Sequence, residues 1–200
     1  MREPEYLEFD NKQQNFLVGL GWEENSQGSG FFKRQHDLDL CCCLMRDDFN
    51  LVDFITPSDP KASDYRFEVL HTGDHKTGDS PGEDEELHLN LRKLNAEVCY
   101  VVFLVKAKKG TALKDVSGAN CVFMDGATYK KFLRLDLDPG RRGAGDDAQY
   151  VAAILRRWTG KTLDGDLWTL VPVDEYLQCK GEAGWDFFDI KEIVEGKYKA

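Results

Sequence analysis

Apolar positions along this chain recur in short runs with a period of two. In HDLDLCCCL (36–44), Leu38, Leu40, Cys42 and Leu44 share one face of a strand and Asp37 and Asp39 the other, because successive strand side chains point to opposite sides. Strand-length runs follow at LVDFI (51–55), RFEVL (66–70), ELHLNL (86–91), VCYVVFLV (98–105), ANCVFM (119–124) and FLRLDL (132–137), and LWTLVPV (167–173) reads as a closing strand. Upstream, FLVGLGW (16–22) mixes apolar residues with glycine before a loop at ENSQGSG. Pro, Gly, Asp and Ser clusters separate the runs, which predicts a mostly β chain, an antiparallel sandwich or barrel. One segment breaks the period. DDAQYVAAILRRW offers Asp146 as an N-cap, Gln149 three residues on, and Val151, Ile154, Leu155 and Trp158 at helical spacing, so it predicts a helix over one end of the sheets. The terminal WDFFDIKEIVEGKYKA predicts a second, short helix, its aromatics either docking back on the sandwich or inserting into a partner.

With 200 residues the chain fits one domain and one substantial core. Its longest apolar runs have strand length, far short of the roughly 20 residues a helix needs to cross a bilayer. The N-terminus, MREPEYLEFDNKQQN, lacks the apolar stretch of a secretory signal, which gives cytoplasmic localisation as the expectation. Six cysteines, three of them the adjacent Cys41, Cys42 and Cys43, show no CxxC spacing and read as reduced, partly buried thiols. A formal charge of −10 disfavours attraction to nucleic acid or an anionic membrane. GxSxG, P-loop and GxGxxG are all absent, and Cys99 and Cys121 lie in apolar runs, so a non-enzymatic role is expected. His88 falls on the outer face of a strand, and the tryptophans at strand and helix positions read as core.

Charge changes the picture at HTGDHKTGDSPGEDEE (71–86), where six carboxylates crowd one loop. Such an array raises its own pKa values and destabilises the fold unless a cation compensates. Calcium suits it, because this hard ion takes carboxylate, carbonyl and water oxygens in irregular geometry. Asp74, Asp79, Glu83, Asp84 and Glu85 supply carboxylates, and Gly73, Gly78 and Gly82 let the backbone bend. Asp37 and Asp39, paired on one strand face, are the best ligands from elsewhere. The spacing is not that of an EF-hand, since Lys76 and Gly78 fall at its third and fifth positions. Zinc competes through His71, His75 and Asp74, but the usual cysteine or second ligand pair is missing. A solvated acidic loop without a metal is the bland alternative.

GLGW (19–22), DLD (37–39), HTGDHKTGDSPGEDEELHLNL (71–91) and the later VVFLV together resemble the TerD family of tellurium-resistance and stress-response proteins. The likeness spans roughly 17–175. It implies a TerD-like β-sandwich at 16–175 and a C-terminal extension at 176–200, while residues 1–15 read from their own composition as a polar lead. It also implies a calcium-binding, non-enzymatic protein with a stress-response or signalling role, holding one or two ions. Asp37, Asp39, Asp74, Asp79, Asp84 and Glu85 match acidic positions of the family motif. Glu83 stands where aspartate is usual, and His75 where asparagine is common. Ser80 and Pro81 replace a glycine and an acidic residue. The alternative is an interaction module of a larger assembly in which metal binding is weak or lost, the extension providing the contact with a protein partner.

Overall fold

The computed structural model describes residues 7–9, 15–24, 36–60, 68–78, 82–108, 111–141, 148–162, 165–178 and 187–198. These form β1 (Leu7–Phe9), β2 (Asn15–Gly21), β3 (Leu38–Met45), β4 (Leu51–Ile55), β5 (Val69–His71), β6 (Glu85–Asn90), β7 (Tyr100–Ala107), β8 (Asn120–Asp125), β9 (Lys131–Asp136), β10 (Ala148–Thr162), β11 (Gly165–Gln178) and α1 (Phe187–Tyr198). One sheet runs β1-β11-β10-β7-β3-β4 and the other β5-β6-β2-β8-β9. Every neighbouring pair is antiparallel.

Most of the period-two runs form the strands they predict, and their apolar faces meet between the sheets; of RFEVL (66–70), Arg66 and Phe67 lie outside the described residues and the strand is Val69–His71. Leu38, Leu40, Cys42 and Leu44 of β3 point inward, with Val101, Phe103 and Val105 of β7 beside them. Phe16, Val18 and Leu20 of β2 face them from the opposite sheet. Phe16 stacks on Phe103 at 5.9 Å between ring centroids, and Phe123 meets Phe103 edge-on at 5.6 Å. Each such buried side chain stabilises the fold by roughly 1.5–3 kcal/mol.

The six-stranded sheet is apolar on its outer face as well. Cys41, Cys43, Val102, Leu104, Val151 and Ile154 form a second cluster there, and α1 covers it with Ile190 and Val194, one helical turn apart. Burial on both faces explains why VCYVVFLV is apolar without alternation. Helix α1, from the expected extension, thus packs back on the sheet. Leu7–Phe9, from the expected polar lead, pairs with Leu170, Thr169 and Trp168 of β11.

The helix expected at 146–158 is not formed. Asp146 and Asp147 lie outside the described residues, and 148–158 belongs to β10, inside the six-stranded sheet between β7 and β11. A bulge between Val151 and Ala153 explains the misleading pattern. Tyr150 and Ala152 face the inner core, the bulge inserts one residue, and Ala153 and Leu155 face inward again while Val151 and Ile154 face α1. Burial on both faces plus one slip of phase imitates a period of 3.6.

Trp22 and Trp168 are core residues, Trp158 is half-buried with its indole N–H donating to Thr169 Oγ1, and Trp185 lies outside the described residues. Cys41, Cys42, Cys43 and Cys121 are buried free thiols whose pKa values are pushed up by that burial. Among the described residues no helix is long and apolar enough to cross a membrane.

Candidate metal centre

The acidic residues gather at the end of the sandwich where β3 begins and β7 ends. Asp37 and Asp39 flank Leu38 and point away from the core, as the alternation requires. Asp74 approaches from the loop between β5 and β6. Ligand atoms of Asp37, Asp39 and Asp74 lie within 4.8 Å of one another.

A fourth residue completes the group. Lys108, just past β7, donates its backbone N–H to the Asp37 carbonyl at 3.0 Å. Its Nζ lies 2.7 Å from Asp74 Oδ1, 3.2 Å from Asp37 Oδ2 and 3.5 Å from Asp39 Oδ1. Nothing in the local sequence of Lys108 singles it out; only the register Leu38↔Ala107 and Asp39↔Lys106 brings it opposite the aspartates. Asp37 Oδ1 and Asp39 Oδ1 are buried and accept no hydrogen bond among the described residues. A cleft of about 100 Å³, lined by Asp39, Cys41, Thr56, Pro57, Ser58, Asp74 and Lys108, opens beside them.

The electrostatics follow the geometry. Burial pushes the Asp39 carboxyl up to about 6; Lys108 opposes this, while Glu85, Asp37 and Asp74 add to it. Asp37 is raised by burial too, with Lys108 opposing. Burial works against the Lys108 charge, but its hydrogen bond to Asp74 and the nearby Asp39 and Asp37 hold its ammonium above the ordinary lysine range. The cluster is thus acidic, partly desolvated and only partly neutralised.

Among the described residues, the remaining acids of the motif are engaged elsewhere. Glu85 has no exposure; its Oε2 accepts from the Leu40 N–H at 2.8 Å and its Oε1 from the His75 N–H at 3.2 Å. It joins β6 of one sheet to β3 of the other, and burial raises its carboxyl despite the nearby His71 ring, 3.5 Å away, and the two backbone hydrogen bonds. Asp84 Oδ2 accepts from the Trp22 N–H at 3.0 Å. Glu83 lies over Gly19 and accepts from Lys131 Nζ at 3.0 Å. Asp79 lies outside the described residues.

His71 does not fit the zinc reading. Its Nδ1 accepts from the Gly73 N–H at 2.9 Å, which leaves the proton on Nε2, directed at the Leu40 carbonyl 2.8 Å away. Both ring nitrogens are occupied by backbone. His75 lies beside Asp84, with 3.7 Å between Nδ1 and Oδ1. Trp22 supports the loop: its indole N–H donates to the His36 carbonyl at 3.0 Å, and Gly78, at φ +63, passes so close that a Cβ there would sit 2.4 Å from the ring.

Comparison with known proteins agrees with this architecture. The TerD domain matches residues 6–163. Tellurium resistance protein TerZ of Serratia marcescens is 33% identical over 147 residues, covering 71% of this chain and 72% of that protein. Tellurium resistance protein TerD of the same organism is 32% identical over 130 residues, 62% of this chain and 65% of its own length. Stress response protein SCP2 of Bacillus subtilis is 32% identical over 101 residues, 44% of this chain and 48% of that protein. The crystal structure of a TerD homologue from Streptomyces coelicolor superposes with a TM-score of 0.64 at 18% identity, over 86% of this chain and 98% of that one.

Proposed function

The chain belongs to the TerD family, several of whose members are named for tellurium resistance or stress response, and from that premise we propose that it is a non-enzymatic calcium-binding protein with a stress-response role. One observation carries the metal reading. Three carboxylates from two separate parts of the chain converge on one point, and among the described residues Asp37 Oδ1 accepts no hydrogen bond while Asp39 Oδ1 has only the Lys108 ammonium, at 3.5 Å, so one positive charge faces three acids. A fold leaves such oxygens without donors at a cost unless a cation meets them. The donor set fits a hard ion, being all oxygen, and the adjoining cleft has room for water ligands.

Asp37, Asp39 and Asp74 would hold the ion. Calcium would supply the positive charge that cancels their mutual repulsion and would fix the β5–β6 loop against β3. Glu83, Asp84 and Glu85 act one layer back, tying that loop to Lys131, Trp22 and β3. Asp79, from the same acidic loop, would add a further carboxylate to the ion. Calorimetric titration of the metal-stripped protein tests it: calcium should bind, and Asp39→Asn with Asp74→Asn should abolish the heat. Silence of the unmodified protein at millimolar calcium would overturn the reading.

An interaction role through the extension has a narrower basis, since α1 spends Ile190 and Val194 on its own sheet and leaves Phe188 69% exposed. Phe188→Ala should then release a protein partner in a pull-down without changing the melting temperature. Unchanged partner recovery would count against it.

A further inference from the structure

We propose that Lys108 is an internal counter-cation of this site, a tethered ammonium that a divalent ion must displace before Asp37, Asp39 and Asp74 can bind it. The proposal rests on the reading of that triad as a cation site and concerns its regulation and selectivity. Two independent features support it. The Lys108 Nζ is not at the rim of the cluster but within reach of all three carboxylates, at 2.7, 3.2 and 3.5 Å. Its backbone is fixed by the hydrogen bond to the Asp37 carbonyl, while its side chain keeps 35% of its exposure and has a flexible stem.

Calcium draws carboxylate oxygens to about 2.4 Å, closer than the ammonium does, so the two cations cannot share these oxygens. Like-charge repulsion at such separations opposes joint occupancy as well. The side chain can leave toward solvent while the backbone stays paired. A monovalent ion gains nothing by this exchange, because it brings no more charge than the ammonium it evicts. A divalent ion brings more, so the lysine filters for charge and lowers affinity below what three free carboxylates would give. Lys76 makes a different contact: among the described residues its ion pair is with Asp74, at 3.8 Å, from a side chain 67% exposed.

Calcium calorimetry on the unmodified protein, Lys108→Met and Lys76→Met provides the test. Lys108→Met should bind calcium about tenfold more tightly or better, as expected when a competing charge-assisted hydrogen bond is removed. Lys76→Met should change affinity by less than about threefold, the scale of an exposed pair. Equal tightening by both variants would reduce the effect to long-range charge and overturn the proposal. Equal affinity of Lys108→Met and the unmodified protein would overturn it too, while leaving the cation site standing. No binding by either protein would remove both. Binding by Lys108→Met alone would support the lysine as the site's resident cation and overturn only calcium binding by the natural chain. Because the variant could lose its fold, a second measurement uses the unmodified protein. Acetylation of the Lys108 amine, followed by mass spectrometry, should accelerate severalfold at saturating calcium and not with sodium. A rate indifferent to bound calcium would overturn displacement.

Discussion

Among the single residues, Glu85 joins the layers of the sandwich. Its carboxylate, fully enclosed, takes backbone N–H groups from Leu40 and His75 and lies 3.5 Å from His71 Nε2. Glu85→Ala leaves those donors without their acceptor and should cost about 2–5 kcal/mol in denaturant unfolding, roughly 1–3 for each backbone N–H left unsatisfied. Glu85→Gln, which keeps one acceptor, should cost clearly less. Gly19 is constrained differently. A Cβ there would stand 2.4 Å from Glu83 Cγ, so Gly19→Ala must push the Glu83 side chain off β2. Overpacking of this kind costs about 1–3 kcal/mol, and a melting temperature unchanged in Gly19→Ala would show that Glu83 has another resting place. Tyr176 gives a pH signature. Burial pushes its phenol up from 10 to about 12, so the folded chain keeps a proton that the unfolded chain has released. That contribution to stability is complete below pH 10 and is lost as pH rises toward 12. Tyr176→Phe should flatten the alkaline fall in stability over that window.

Strand β10 and helix α1 illustrate how elements depend on their neighbours. Val151, Ile154, Leu155 and Trp158 satisfy a helical template, yet the segment pairs on one side with β7 and on the other with β11. Tertiary pairing overrides local pattern here, because a central strand buried on both faces no longer alternates and a bulge shifts its phase. Helix α1 has a modest apolar stripe of its own, and its stability comes from the sheet beneath it. Ile190→Ala or Val194→Ala should each destabilise by about 2–4 kcal/mol, since both are fully enclosed. Arg156 secures the helix end, its guanidinium 3.6 Å from the Trp158 ring centroid and 4.7 Å from that of Tyr198. Arg156→Ala should loosen the last turn first, visible as faster amide exchange near Tyr198.

For the whole molecule, the decisive quantity is the coupling between cation binding and stability. An ion that binds only the folded chain adds about 2.7 kcal/mol at a hundredfold excess over Kd. For a chain of this size that is a rise in melting temperature of roughly 5–10 °C. Calcium should produce that rise and chelation should reverse it; a melting curve indifferent to both would remove the metal from the account of the fold. Much of the architecture was legible beforehand. Strict alternation in HDLDLCCCL placed Leu38, Leu40, Cys42 and Leu44 inward and both aspartates outward, because a period of two is a property of the strand itself. Crowded carboxylates around Asp74 signalled that positive charge was needed, since repulsion between neighbours in sequence does not depend on the fold. Sequence alone therefore determined most of the strands, though not β1 or β10, together with the family motif and the need for a counter-charge. Tertiary structure decided the rest: that 148–162 is a strand, that Glu85 closes the sheets, and that Lys108 stands among the three aspartates. Those facts arise from register and pairing between segments far apart in the chain, and no local pattern of residues encodes which distant strand will lie alongside.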